Sequence, residues 1–175
     1  LEWLLWKADL KPATPECAYA VQVAADIDRE AAQLKAAADK AAKSELTPEQ
    51  ATAAFGELLN QWVGSTERLR WASIDKPRRE AASGQSAAGW ASHWQALRRL
   101  AVIDGAAPAP GAGVVTLEAY LRGRGQMALA DRWVARIAAT DSAMRAIDPR
   151  QNATLDKAVR ELAQTKRLAE DEVAG

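Results

Sequence analysis

Apolar residues recur every three or four positions along most of this chain, which is the spacing of one face of an α-helix. The longest run follows Thr14 and Pro15, a residue pair suited to an N-cap and the first helical position. The pattern predicts a helix over 15–43. We expect its apolar face to be packed, and that face consists of Cys17, Val21, Ala24, Ile27, Ala31, Leu34, Ala38 and Ala41.

The same type of start signal introduces a second helix. Thr47 and Pro48 are followed by Gln50, which completes the pattern of a capping box. The spacing that follows predicts a helix over 48–74. Its expected core stripe consists of Phe55, Leu58, Leu59, Trp62, Thr66 and Leu69.

Segments rich in Pro, Gly and Ser separate three further predicted helices, over 87–103, 126–147 and 151–172. Ser83 or Ser86 is expected to cap the first of them, and Thr116 is expected to cap a short helical turn. Three tryptophans lie in phase with Leu or Ile on their own helices, and we predict that they are core residues: Trp62, Trp94 and Trp133.

The fold class follows from these periods. No run of β-branched residues alternates with a period of two, so no strand is predicted. Long helices joined by short loops favour antiparallel neighbours. The sequence therefore predicts an all-α protein, an up-and-down antiparallel helical bundle.

Charge and cysteine content exclude some classes of partner. Lys plus Arg and Asp plus Glu both total 23, so no overall positive field attracts nucleic acid, and the basic run at 76–80 is too short to change this. Cys17 is the single cysteine, which excludes a disulfide within the chain, and we predict a buried thiol there. No stretch approaches the about 20 apolar residues of a membrane span, and no signal peptide is present in the chain.

The common catalytic arrangements are missing from the sequence. His93 is the only histidine, no G-x-S-x-G occurs, and the Glu-x-x-His pair of di-iron bundles fails because residue 90 is Trp. We interpret His93 as a packing residue and assign no catalytic residue. Asp26 and Glu30 share a helix face and could hold a hard cation, but solvated side chains are the simpler expectation. The alternation RGRG at 122–125 is too short for a nucleic-acid-binding arm.

Glu2 stands out in the opening stretch LEWLLW. Its carboxylate lies in sequence among Leu1, Trp3, Leu4 and Trp6. Burying an unpaired carboxylate costs several kcal/mol, so Glu2 is expected either to reach solvent or to meet a cation or donor.

LEWLLW, followed by PECAYAVQVAADIDREAAQL, resembles the imelysin-like proteins of the bacterial envelope. In these proteins a G-x-H-x-x-E motif runs into an apolar, Trp-containing helix, and Glu2 corresponds to the Glu of that motif. The stretches LLNQWVGSTERLRWASIDKP and WQALRRL resemble the second half of the family. The resemblance implies that the chain begins inside the motif, as part of a longer protein built from two helical bundles. Residues 1–45 would then be the end of the first bundle or bundle-bridging helices, and 46–175 the second bundle.

The resemblance also implies a function. It points to a non-enzymatic protein of the periplasm or cell envelope, linked to iron uptake or regulation, that binds a metal ion or an iron-linked ligand between bundles. Glu2 is the one residue that can be carried over as a metal ligand, with iron or another divalent metal as the expected cofactor. An envelope protein is an expected partner, and any membrane contact would be made by a lipid anchor outside this chain, as in a lipoprotein.

Two alternatives stay open. One is a metallopeptidase of the imelysin type, although the sequence lacks the H-E-x-x-H pattern of zinc proteases. The other is a helical adaptor or scaffold that binds a partner protein, which an exposed apolar face would favour.

Overall fold

The computed structural model describes residue 11 and residues 13–75, 84–103 and 116–173. Within these ranges the chain forms helices and no strand, which confirms the predicted all-α class. The helices are α1 Pro15–Ala42, α2 Pro48–Glu67, α3 Ser86–Ala101, α4 Leu117–Gly123, α5 Met127–Arg145 and α6 Asn152–Leu168. Two of them continue into wider π-helical turns, α2 into Arg68–Asp75 and α6 into Ala169–Val173.

Threonine caps begin three of these helices, as the sequence predicts. The Thr14 hydroxyl accepts a hydrogen bond from the backbone N–H of Cys17 at 3.3 Å. At the start of α2 the capping box is complete, because Thr47 Oγ1 accepts from Gln50 N while Gln50 Oε1 accepts from Thr47 N. Thr116 caps α4 in the same way. Each cap satisfies backbone donors that a helix start otherwise leaves without a partner.

The start of α3 differs from the prediction. Ser86 is the first helical residue, and Gln85 occupies the cap position without a capping hydrogen bond from its side chain. The expectation that Ser86 caps α3 is therefore wrong, and Ser83 lies outside the described residues. Burial of the apolar face of α3 stabilises this helix more than a cap would, because packing supplies most helical stability in proteins.

The five helices from α2 through α6 share one hydrophobic core. Trp62, Trp94 and Trp133 are at most 2% exposed, which confirms their assignment as core residues. Other large side chains of this core include Leu59, Leu69, Ile74, Trp90, Leu97, Leu117, Leu121, Ile137, Met144 and Leu162. The most extensive packing is between α5 and α6, which a short connection joins, and the π-helical segment Arg68–Asp75 packs against α6.

The first helix does not join this core. Val21 is 65%, Ile27 52% and Leu34 73% exposed, so the prediction that the apolar face of α1 is packed is wrong. The physical reason is that α1 lacks extensive packing against any other described helix. Helical periodicity identifies a face that can pack, but it does not supply the partner. The division of the chain at residues 45 and 46 stays a prediction.

No described helix has both the length and the apolar composition that crossing a bilayer requires.

Candidate functional site

Glu2, the predicted metal ligand, lies outside the described residues, as does the basic run at 76–80. The site predicted from the resemblance therefore stays a prediction. The other candidate chemical residues of the sequence analysis, Asp26, Glu30, Cys17, His93 and the RGRG stretch at 122–125, have described positions.

The paired carboxylates of α1 lie at the surface. Asp26 Oδ1 accepts a hydrogen bond from Gln22 Nε2 at 2.9 Å and forms an ion pair with Arg29 at 2.6 Å. Glu30 is exposed on the next turn. In the described part of the chain, no three His, Cys, Asp or Glu side chains come together as metal ligands. These two carboxylates are solvated, as expected.

The lone cysteine lies on α1, where it is partly covered by the protein. Cys17 is a free, half-buried thiol, so the expectation of a buried one is only partly met.

Arg122, in the RGRG stretch, donates to Glu118 on its own helix and to Asp131 on α5, both at 2.9 Å. The Arg124 guanidinium lies 5.7 Å from the centre of the Tyr120 ring, within the range of a cation–π contact. The Arg122–Asp131 pair links α4 to the start of α5, and the other two contacts lie within α4 and its C-terminal end.

His93 is half-buried on α3. Burial disfavours the charged imidazolium, and the positive charge of Arg68 adds to this effect, so the pKa of His93 is lowered from its ordinary value of 6.5. The side chain is therefore neutral at pH 7, as a packing histidine should be.

The lowered pKa of His93 predicts a loss of stability on acidification. The unfolded chain binds a proton at the ordinary pKa, whereas the folded chain binds it only at lower pH, so folding becomes less favourable as the pH falls below 6.5. We expect the free energy of unfolding, measured in urea, to fall between about pH 7 and about pH 5.5. The change should be smaller in His93→Gln, which cannot titrate. Equal changes in both proteins would contradict the proposed environment of His93.

A buried carboxylate that the sequence analysis missed lies between α3 and α5. Asp141 is 7% exposed. Its Oδ1 accepts hydrogen bonds from Trp94 Nε1 at 3.0 Å and from Gln95 Nε2 at 3.4 Å. Its Oδ2 is paired with Arg145 Nη2 at 2.5 Å, and Arg98 Nε lies 3.7 Å away. The sequence did indicate that Asp141 could be buried, because it is the one acid in phase with Trp133, Ile137 and Met144 on the apolar stripe of α5.

A cavity of about 360 Å³ adjoins this carboxylate. Its walls combine apolar side chains, among them Val102, Val134 and Ile137, with the charged groups of Asp141 and both arginines. Because four donors surround Asp141, its oxygens are engaged in holding α3 and α5 together. The arrangement suits a structural anchor better than a general base, which needs an oxygen free to accept a proton.

A second charged cluster links α5 to α6 and its π-helical extension. Arg136 is paired with Glu161 and donates to Gln164, and burial lowers the pKa of its guanidinium. Arg132 pairs with Glu172 through two N–H groups. These interactions cross between helices, so they too stabilise the packing of the bundle.

The comparisons with known proteins identify the family. The family model described as imelysin, Peptidase_M75, matches residues 1–174, which is nearly the whole chain. Neither the comparison with curated proteins nor that with solved structures gives a match. The match covers the resemblance at Glu2 and the helices of the core alike, and the chain belongs to the imelysin family.

Proposed function

We propose that this chain is the part of a non-enzymatic imelysin-family protein of the bacterial envelope that contributes Glu2 to a site for a metal ion or an iron-linked ligand. The proposal includes a role in iron uptake or regulation. The observation that carries it is the family match, which begins at residue 1 and so includes Glu2. Family members are generally extracellular or associated with the envelope, which supports the proposed location.

The chemistry around Glu2 in the sequence also supports a cation site. The Leu and Trp neighbours of Glu2 in the sequence favour a low-dielectric setting, in which a carboxylate would gain more from a cation partner than it would in water. One carboxylate alone is a weak ligand, because transition metals prefer several N or O donors in a fixed geometry. We therefore expect weak binding by this chain, with most of the affinity supplied by further ligands.

Calorimetric titration of the wild-type protein and its variants with ferrous, ferric and zinc ions tests this proposal. Glu2→Gln keeps the shape of the side chain and removes its charge, and we expect it to weaken binding by more than tenfold, or about 1.4 kcal/mol. Glu30→Gln removes an exposed carboxylate of α1 and serves as the matched control, which should bind as the wild type does. Equal affinities for wild type and Glu2→Gln would show that Glu2 is not a ligand.

The exposed apolar face of α1 favours a second candidate, an adaptor or scaffold that binds another protein. Apolar residues at helical spacing, more than half exposed, are typical of a surface that another helix covers. This candidate moves ahead of the metal-site proposal if Glu2→Gln leaves metal binding unchanged.

A further inference from the structure

The cavity beside Asp141 lies in the groove between α3 and α5, and we call it the α3–α5 cavity. The two helices run antiparallel along it, because Ala101 accepts a hydrogen bond from Trp133 near one end and Asp141 accepts one from Trp94 near the other. The part toward Trp133 has apolar walls, formed by Val102, Ile103, Val134, Ile137 and Ala138. The part toward Asp141 is charged. The cavity is therefore amphipathic along its length.

Two guanidinium groups and one carboxylate lie at the charged end. Arg145 Nη2 is 2.5 Å and Arg98 Nε 3.7 Å from the same oxygen of Asp141. These three side chains are the charged groups among the described residues that line the cavity, and two positive charges against one negative charge leave a net charge of +1. A cation would be repelled by this end, whereas a monoanion would balance its charge.

Arg145 can bind an anion and keep its bond to Asp141. A guanidinium has five N–H donors, and in the described part of the chain only Nη2 of Arg145 donates to a protein acceptor. The Arg145 side chain is 69% exposed, so its other donors can reach a molecule in the cavity. Ser142, exposed at the same end, adds a hydroxyl donor. Guanidinium forks of this kind bind carboxylates through two parallel hydrogen bonds.

Size and charge define the class of ligand. A volume of about 360 Å³ is at the lower end of the range for ligand pockets, so the cavity suits a small molecule. A phosphate monoester carries a charge between about −1.5 and −2 at pH 7, which exceeds the +1 of the described walls, whereas a carboxylate matches it. We propose that the α3–α5 cavity binds a small organic carboxylate, whose apolar body lies against Val134 and Ala138 and whose carboxylate accepts from Arg145 and Ser142. This site is independent of Glu2.

Titration of the full chain with benzoate and with hexanoate, followed by NMR of the backbone amides, tests the site. We expect saturable binding with a dissociation constant of about 1 mM or lower, and shifts centred on the amides of Val134, Ala138 and Ser142. Benzamide keeps the ring of benzoate and lacks its charge, and acetate keeps the charge and lacks the apolar body. Each should bind weaker than benzoate by about tenfold or more.

One pair of variants tests the charged end. Arg145→Gln should weaken benzoate binding by about tenfold or more, because it removes the guanidinium that accepts the carboxylate. The matched control is Arg150→Gln, since Arg150 is also an exposed arginine paired with an aspartate but does not line the cavity. This control should bind benzoate as the wild type does. Circular dichroism checks that both variants keep their helix content.

A second pair tests the apolar end. Ala138→Phe should abolish benzoate binding by filling the cavity, whereas Ala135→Phe, exposed on the same helix but outside the cavity, should leave it unchanged. Absence of saturable binding by both benzoate and hexanoate would overturn the proposal. So would an unchanged affinity in Arg145→Gln or Ala138→Phe. Acetate or benzamide binding as tightly as benzoate would show that the cavity does not recognise an organic carboxylate.

Discussion

Replacing Trp133 by Ala is expected to lower the free energy of unfolding by about 4 kcal/mol. The side chain is fully buried, and its ring centre lies 5.1 Å from that of Trp62 in a tilted arrangement. Its indole N–H donates to the carbonyl oxygen of Ala101 at 2.8 Å, at the end of α3. The substitution would therefore leave a large cavity and also remove the hydrogen bond to a buried carbonyl.

Chemical denaturation followed by circular dichroism measures this loss. Trp71→Ala is the matched control, because Trp71 is 50% exposed and its truncation should cost less than half as much. Trp133→Phe should fall between Ala and wild type, since it keeps one aromatic ring but loses the N–H donor. If Trp133→Ala unfolded at the same denaturant concentration as wild type, the described packing of α3 against α5 would be incorrect.

Asp141→Ala is expected to cost about 3 kcal/mol, because it removes a buried carboxylate that accepts hydrogen bonds from α3 and pairs with two arginines. Trp94 Nε1 would lose its acceptor in a position where the side chain is fully buried. Arg98 and Arg145 would lose the carboxylate that balances their charges. The same denaturation experiment measures the effect.

Asp131→Ala provides the control for Asp141→Ala. Asp131 lies on the same helix and also pairs with an arginine, but its side chain is 70% exposed. Water and salt weaken such a surface pair, so we expect a cost below about 1 kcal/mol. Equal losses in the two variants would show that the Asp141 network contributes no more than a surface ion pair.

The candidate site could be predicted from sequence only in part. Glu2 was found through a resemblance, and its neighbours in the sequence give a physical reason for a cation partner. His93 could be interpreted from its apolar neighbours, but its pKa is lowered by burial in the folded chain and by Arg68, a residue 25 positions away. Asp141 could have been noticed on an apolar stripe, yet its partners Trp94 and Gln95 lie on another helix. Local spacing contains no information about such contacts.

Local interactions let the sequence by itself determine the helical class and most helix boundaries. Thr47 caps α2 because the bonded groups are three residues apart, and Trp62 lies on the apolar face of α2 because it is in phase with Leu59 on its own helix. Only the tertiary structure determined whether a helix face with apolar residues at helical spacing packs against another helix. The stripe of α1 and the stripe of α5 are both periodic, but Leu34 is 73% exposed and Ile137 1%. Burial depends on contacts between residues far apart in the chain, and helical periodicity does not encode those contacts.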